Sequence, residues 1–195
     1  MIKKTRSPHL NAPPSGWCQV ILHTDQAQTL FKGNWGKRQI GVVQFATALR
    51  TLCQESNNPR AMQQRKKIQT QIQQTKQQLR QWQTVIEKSL PQHRNITFHP
   101  DAVIAKTQRM NVQFGSPEAW QATLLIIELD RLLSLMSIAQ RIQYVFDSHL
   151  PTANLRQLQR HATKQIKAIL HLPFQWQANT LTPPDEIQHE KENSA

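Results

Sequence analysis

The side chains with chemistry to offer in this sequence are amides and cations. Gln19, Ile21 and His23 alternate along Trp17-Cys18-Gln19-Val20-Ile21-Leu22-His23, a short run with strand character. Successive side chains of a strand point to opposite faces, so these three share one face and Val20 and Leu22 share the other. A glutamine bonds N6 and N7 of adenine together, an isoleucine meets a thymine methyl, and a histidine N–H donates to a guanine acceptor or a phosphate. Lys32, Lys37 and Arg38 form a second group, just ahead of Gln39, Ile40 and Gly41, where a helix is expected to open. Unpaired backbone amides and the positive dipole end at such an opening suit a phosphate. An ordinary buried or edge strand and a solvated turn are the alternative readings of these two groups.

Catalytic patterns are lacking. The eight histidines are scattered, with no HxxxH or HExxH pair, and neither Cys18 nor Cys53 stands beside another ligand at zinc spacing. Neither phosphate-binding signature, GxxxxGK[ST] or GxGxxG, occurs. With only 12 acidic residues, paired acid–base work has little raw material. The expectation is a non-enzyme with no catalytic residue, no metal site and no cofactor.

The 195 residues carry 24 basic and 12 acidic groups, for a net charge of +12. A surface this basic points to an anionic partner, first of all nucleic acid. The charge is uneven. Residues 1–116 hold 17 basic and 4 acidic side chains, and residues 181–195 hold 1 and 4. The cationic face belongs to the first part, and the tail is acidic. The most apolar stretch, 124–139, contains Glu128, Asp130 and Arg131, so no membrane span is expected. No secretory signal is read at the start of the chain, and two cysteines make no disulfide framework. Two reduced thiols in a cytoplasmic protein is the reading that follows.

Pattern divides the chain. Residues 1–16 read as a flexible basic arm broken by Pro8, Pro13, Pro14 and Gly16. After the strand, Thr24 caps a helix with Ala27, Leu30 and Phe31 on one face, and Gly33 ends it. A second helix is expected near Ile40 to Gln54, with Val42, Phe45, Leu49, Leu52 and Cys53 as its apolar stripe. Asn58 and Pro59 open a glutamine-rich helix over 60–89. Its positions Ile68, Ile72, Thr75, Leu79, Trp82 and Ile86 step by three and four. That spacing fits a core-facing helix of a bundle or an intermolecular coiled coil. Short strands are possible at 96–98 and 111–114. Ser116, Pro117 and Glu118 start a helix that is apolar nearly all round over 124–139 and should be central. Within it, Asp130 beside Arg131 reads as an ion pair inside the core or as a polar edge pairing internally. A last helix begins near Pro151, with Leu155, Leu158, Ala162, Ile166, Ile169 and Leu170 facing inward, and residues 175–195 look loose.

Strand, short helix, turn and longer helix over 17–56 is the outline of a ribbon-helix-helix unit. Two such chains pair their strands into a ribbon that fits the major groove. Val20 and Leu22 would then point into a dimer core. The predicted fold class is mostly α: an N-terminal dimeric ribbon-helix-helix at 17–56, an α-helical body at 57–175 and a loose acidic tail at 176–195. A homodimer is expected because one strand alone has no pairing partner. Arg60, Arg65, Lys66 and Lys67 on the long helix extend phosphate contact or make a solvated bundle face.

Two blocks carry a family resemblance. His23 to Gly33 followed by Arg38-Gln39-Ile40-Gly41-Val42-Val43-Gln44-Phe45 is the first. Phe114 to Ala119, leading to Leu124-Leu125 and Asp130-Arg131-Leu132, is the second. Together they resemble the AcaB-like proteins of integrating conjugative elements and conjugative plasmids. Glu55 to Arg60 departs from the acidic stretch many relatives carry there. The resemblance implies a bacterial, cytoplasmic regulator of conjugative transfer genes, with a ribbon-helix-helix fold that binds double-stranded DNA. RNA polymerase or other conjugation regulators are further partners under this reading. A relaxosome or partition accessory protein is the first alternative, and a non-DNA-binding interaction protein of the conjugation machinery is the second.

Overall fold

The structure is a computed structural model, and it describes residues 17–34, 39–55, 57–90, 107–113, 116–146 and 152–181. In chain order these form β1 (Trp17–Leu22), α1 (Asp25–Lys32), α2 (Val42–Gln54), α3 (Pro59–Ser89), β2 (Gln108–Gln113), α4 (Pro117–Phe146) and α5 (Thr152–Leu181). The fold class is mostly helical, with one short sheet.

Local signals explain most boundaries. The Thr24 hydroxyl accepts the Ala27 N–H at 3.3 Å, and Asp25 lies in the first turn, where the helix dipole favours an acid. Gly33, at φ 74°, ends α1 in a conformation that side chains with a Cβ resist. Asn58 caps α3 ahead of Pro59, and Ser116 accepts the Ala119 N–H at the start of α4.

The turn from α1 to α2 is drawn tight. Asn34 and Gln39 exchange both backbone hydrogen bonds, at 2.8 and 2.9 Å. Gly41 lies so close to the end of α1 that a Cβ there would sit 2.3 Å from the Gly33 nitrogen. Gln44 locks the junction: its Oε1 accepts the Gly41 N–H at 2.9 Å, and its Nε2 donates to the Lys32 carbonyl.

α4 is the central helix, packed against α1, α2, α3 and α5. Leu125, Ile126, Leu129 and Leu132 are essentially inaccessible. α3 lies along it, burying Ile68, Ile72, Thr75, Leu79, Gln83 and Ile86. The heptad seam therefore serves this chain's own core. At its far end Gln83, whose Nε2 donates to the Glu128 carbonyl at 2.8 Å, replaces Trp82 as the buried position. An α-helix turns every 3.6 residues, so a strict 3.5-residue seam drifts around it. The elements of 17–54 share one continuous apolar cluster with the helical body.

Buried charge ties the layers. Glu118, fully inaccessible at the start of α4, accepts from Arg65 at 2.7 Å and from Gln69 at 2.8 Å. Burial pushes its carboxyl up, but the hydrogen bonds from Arg65, its own backbone and Gln69 outweigh that, leaving it below the ordinary glutamate value.

Several expectations need correction. β1 does not wait for a second chain: it pairs antiparallel with β2 of the same chain, Trp17 opposite Gln113 through Leu22 opposite Gln108. The unpaired strand that motivated a homodimer is thus satisfied internally, and Val20 and Leu22 enter this chain's own core. Asp130 does not pair with Arg131. Neighbours on a helix point about 100° apart, and Arg131 reaches the exposed Glu87 at 3.0 Å instead. Helix α5 continues to Leu181, past the expected loosening at 175 and through Pro173, with Trp176 packed against the core. The possible strand at 96–98 and the basic arm at 1–16 lie outside the described residues.

Candidate nucleic-acid interface

In an antiparallel pair, residues directly opposite share a face. The register thus sorts the ribbon. Val20 opposite Met110 and Cys18 opposite Val112 form the inner face, with Val20, Met110 and Val112 buried. Gln19 opposite Asn111 and Ile21 opposite Arg109 form the outer face, and all four are exposed. Gln113 joins them at one end. Ile21 keeps 43% of its surface accessible.

The outer face therefore carries three amides that donate and accept, one guanidinium, and, opposite the guanidinium, one apolar side chain. Asn and Gln read adenine bidentately, Arg reads guanine O6 and N7, and an aliphatic side chain meets the thymine methyl. A two-stranded ribbon also matches the major groove, about 12 Å wide.

The structure brings Gln19 and Ile21 together as expected and turns His23 elsewhere. Just past the strand, the His23 Nδ1 sits 2.9 Å from Oδ2 of Asp130, and the His23 backbone N–H donates to the same oxygen at 2.9 Å. The Thr24 N–H and hydroxyl both donate to Oδ1 at 2.7 Å. Asp130, only 3% exposed, thus receives four hydrogen bonds and fixes the exit of β1 onto α4.

At the second group, Lys32 is exposed at the end of α1. Lys37 and Arg38 lie outside the described residues. The Gln39 N–H already donates to Asn34, the Gly41 N–H already donates to Gln44, and Ile40 is half-buried.

Arg109, Asn111 and Gln113 were not legible as site residues. Their signal was present, since polar 109, 111 and 113 alternate with apolar Met110 and Val112. Only the pairing partner gives that alternation its meaning. Among the described residues, no group of three or more His, Cys, Asp or Glu is placed to hold a metal, and no helix is long and apolar enough to cross a membrane.

A family model described as transcriptional regulator AcaB matches residues 15–195. The chain belongs to that family. The match covers both strands of the ribbon, the helices behind it and the segment that follows α5. It assigns this AcaB-family chain to the transcriptional regulators. No curated protein and no solved structure matches the chain.

Proposed function

We propose that this chain is a sequence-specific DNA-binding regulator of conjugative transfer genes on a mobile genetic element. The outer face of the β1–β2 ribbon enters the major groove of double-stranded DNA. One observation carries this reading: Gln19, Ile21, Arg109 and Asn111 stand exposed together on a ribbon whose other face is buried. Gln19 and Asn111 read adenine edges, Arg109 reads guanine, and Ile21 contacts thymine methyls. Lys32, Lys37 and Arg38 hold the flanking phosphates, and the segment at Gln39, Ile40 and Gly41 sets their backbone. His23, expected from its position in the run to read bases, instead positions the ribbon through Asp130.

The ribbon closes within one chain, so one chain reads one half-site. A homodimer places two complete ribbons on half-sites about one helical turn apart. The helical body then offers its surface to RNA polymerase or to other conjugation regulators.

The test is a mobility shift of the purified protein on its element's upstream DNA, at two salt concentrations, with random DNA as competitor. A specific shift that survives competition supports the reading. A salt-sensitive, sequence-blind shift points to an accessory role at a transfer origin. No shift at all points to a protein-interaction role.

A further inference from the structure

α3 and the end of α5 leave a groove of about 870 Å³ between them. Arg60, Lys66 and Lys67 line one side, with Gln71 and Gln74 further along, and the indole of Trp176 comes from α5. Gln64 ties the two helices together there, its Nε2 donating to the Leu172 carbonyl at 3.0 Å.

The charge of this groove is uncompensated. Arg65, Arg80 and Arg131 each pair with a carboxylate, respectively Glu118, Glu128 and Glu87. Among the described residues no carboxylate pairs with Arg60, Lys66 or Lys67, and none lines the groove. The groove is also long. From Arg60 to Gln74 the helix rises about 21 Å, at about 1.5 Å per residue. A single nucleotide is far shorter than that.

We infer that this groove binds single-stranded nucleic acid. The polymer's phosphates run along Arg60, Lys66 and Lys67, a base stacks on Trp176, and the Gln71 and Gln74 amides meet base edges. Cations tracking a backbone, joined to an aromatic platform, are how proteins hold a single strand without strict sequence preference. The aromatic platform beside the cations favours a single strand, whose bases are free to stack on it, over a duplex, whose bases are already paired and stacked. This groove is separate from the ribbon, and the inference does not rest on the ribbon's role.

The test is fluorescence anisotropy of a labelled 15-nucleotide oligothymidylate with the full chain. It compares wild type, Lys66→Ala with Lys67→Ala, Trp176→Leu, and Gln19→Ala with Arg109→Ala. Circular dichroism checks that each variant folds. The lysine pair should weaken oligonucleotide binding at least about tenfold and lower the salt slope by about 1.4, at about 0.7 per lost phosphate contact. Trp176→Leu should weaken it about tenfold, the scale of one lost stacking platform. The ribbon variant should bind the oligonucleotide as wild type does, whatever becomes of its duplex recognition. Should Trp176→Leu unfold, the lysine pair on the exposed side of α3 still decides. An unchanged affinity in the lysine pair overturns the inference. Loss of binding in the ribbon variant, or competition by random duplex as effective as by unlabelled oligonucleotide, also overturns it.

Discussion

Nδ1 of His23 lies 2.9 Å from Oδ2 of Asp130, joining the exit of β1 to a carboxylate buried within α4. The two residues are 107 positions apart in sequence. The same carboxylate holds Thr24, whose hydroxyl in turn accepts the Ala27 N–H, so one buried charge also sets the cap of α1. The orientation of the ribbon relative to the bundle depends on this junction.

Removing that carboxylate should be costly. Asp130→Ala leaves two backbone amides, a hydroxyl and an imidazole without their acceptor, and should cost about 3–5 kcal/mol in urea unfolding. Asp130→Asn keeps one acceptor oxygen and should cost about 1–3 kcal/mol. Thr24→Ala, which removes the cap and one of the four bonds, should cost about 1–2 kcal/mol. An Asp130→Ala loss no larger than that of Thr24→Ala would show that the junction is not the anchor described.

Glu118 makes a pH prediction. Its folded carboxyl titrates below the ordinary value, so the unfolded chain binds the proton more readily. The stabilisation from Arg65 and Gln69 is therefore present above the ordinary glutamate range and is lost as pH falls through the lowered folded value. Urea midpoints of wild type and Glu118→Gln should differ clearly at pH 7, and the gap should narrow steadily as pH falls below the ordinary glutamate range. A gap that stays constant from pH 7 down into the acid range would contradict this.

The junction of α1 and α2 should tolerate no Cβ. Gly41→Ala drives a methyl group into the Gly33 nitrogen, the Lys32 carbonyl carbon and the Phe31 oxygen, all backbone. The loss should reach about 3 kcal/mol, the upper end for overpacking, because no side chain is available to move aside. Gly33→Ala adds strain of about 1–3 kcal/mol, because φ 74° with ψ 176° is a conformation essentially confined to glycine, besides contacts at 2.8 Å. Thermal melts of the two variants check both values.

Much of the helical architecture was legible because its signals are local. Thr24, Gly33, Asn58-Pro59 and Ser116-Pro117 mark helix ends by chemistry that acts within a few residues. Leu124 to Ala139 announces a buried helix by having little polar face. The ribbon was half legible. Gln19 and Ile21 fell on the exposed face by alternation, but the partner strand lies 91 positions beyond Leu22 at its far end, at Gln113, and no local pattern specifies pairing at that range. β2 thus fills the place that the local pattern leaves open for a second chain. His23 departs from the face that alternation predicts for the same reason. Alternation placed it on the outer face, and its distant acceptor Asp130 overrides alternation once the strand has ended.

Cations and readers should separate cleanly in DNA binding. Lys37→Ala with Arg38→Ala should weaken cognate and random duplex about equally and lower the salt slope by about 1.8, at about 0.9 per lost contact. Titrations at several salt concentrations check this. A change in discrimination without a change in slope would move those residues from phosphates to bases.

Gln19→Ala with Arg109→Ala tests the proposed base reading by the outer face of the ribbon. The measurement is the ratio of affinities for upstream DNA and random DNA, in a variant shown by thermal melt to be as stable as wild type. Both positions are exposed, so stability should hold. Each good base contact is worth about 1–3 kcal/mol of discrimination, so the ratio should fall at least about thirtyfold while random-DNA affinity changes little. A ratio equal to that of wild type would contradict the assignment of this face to base reading.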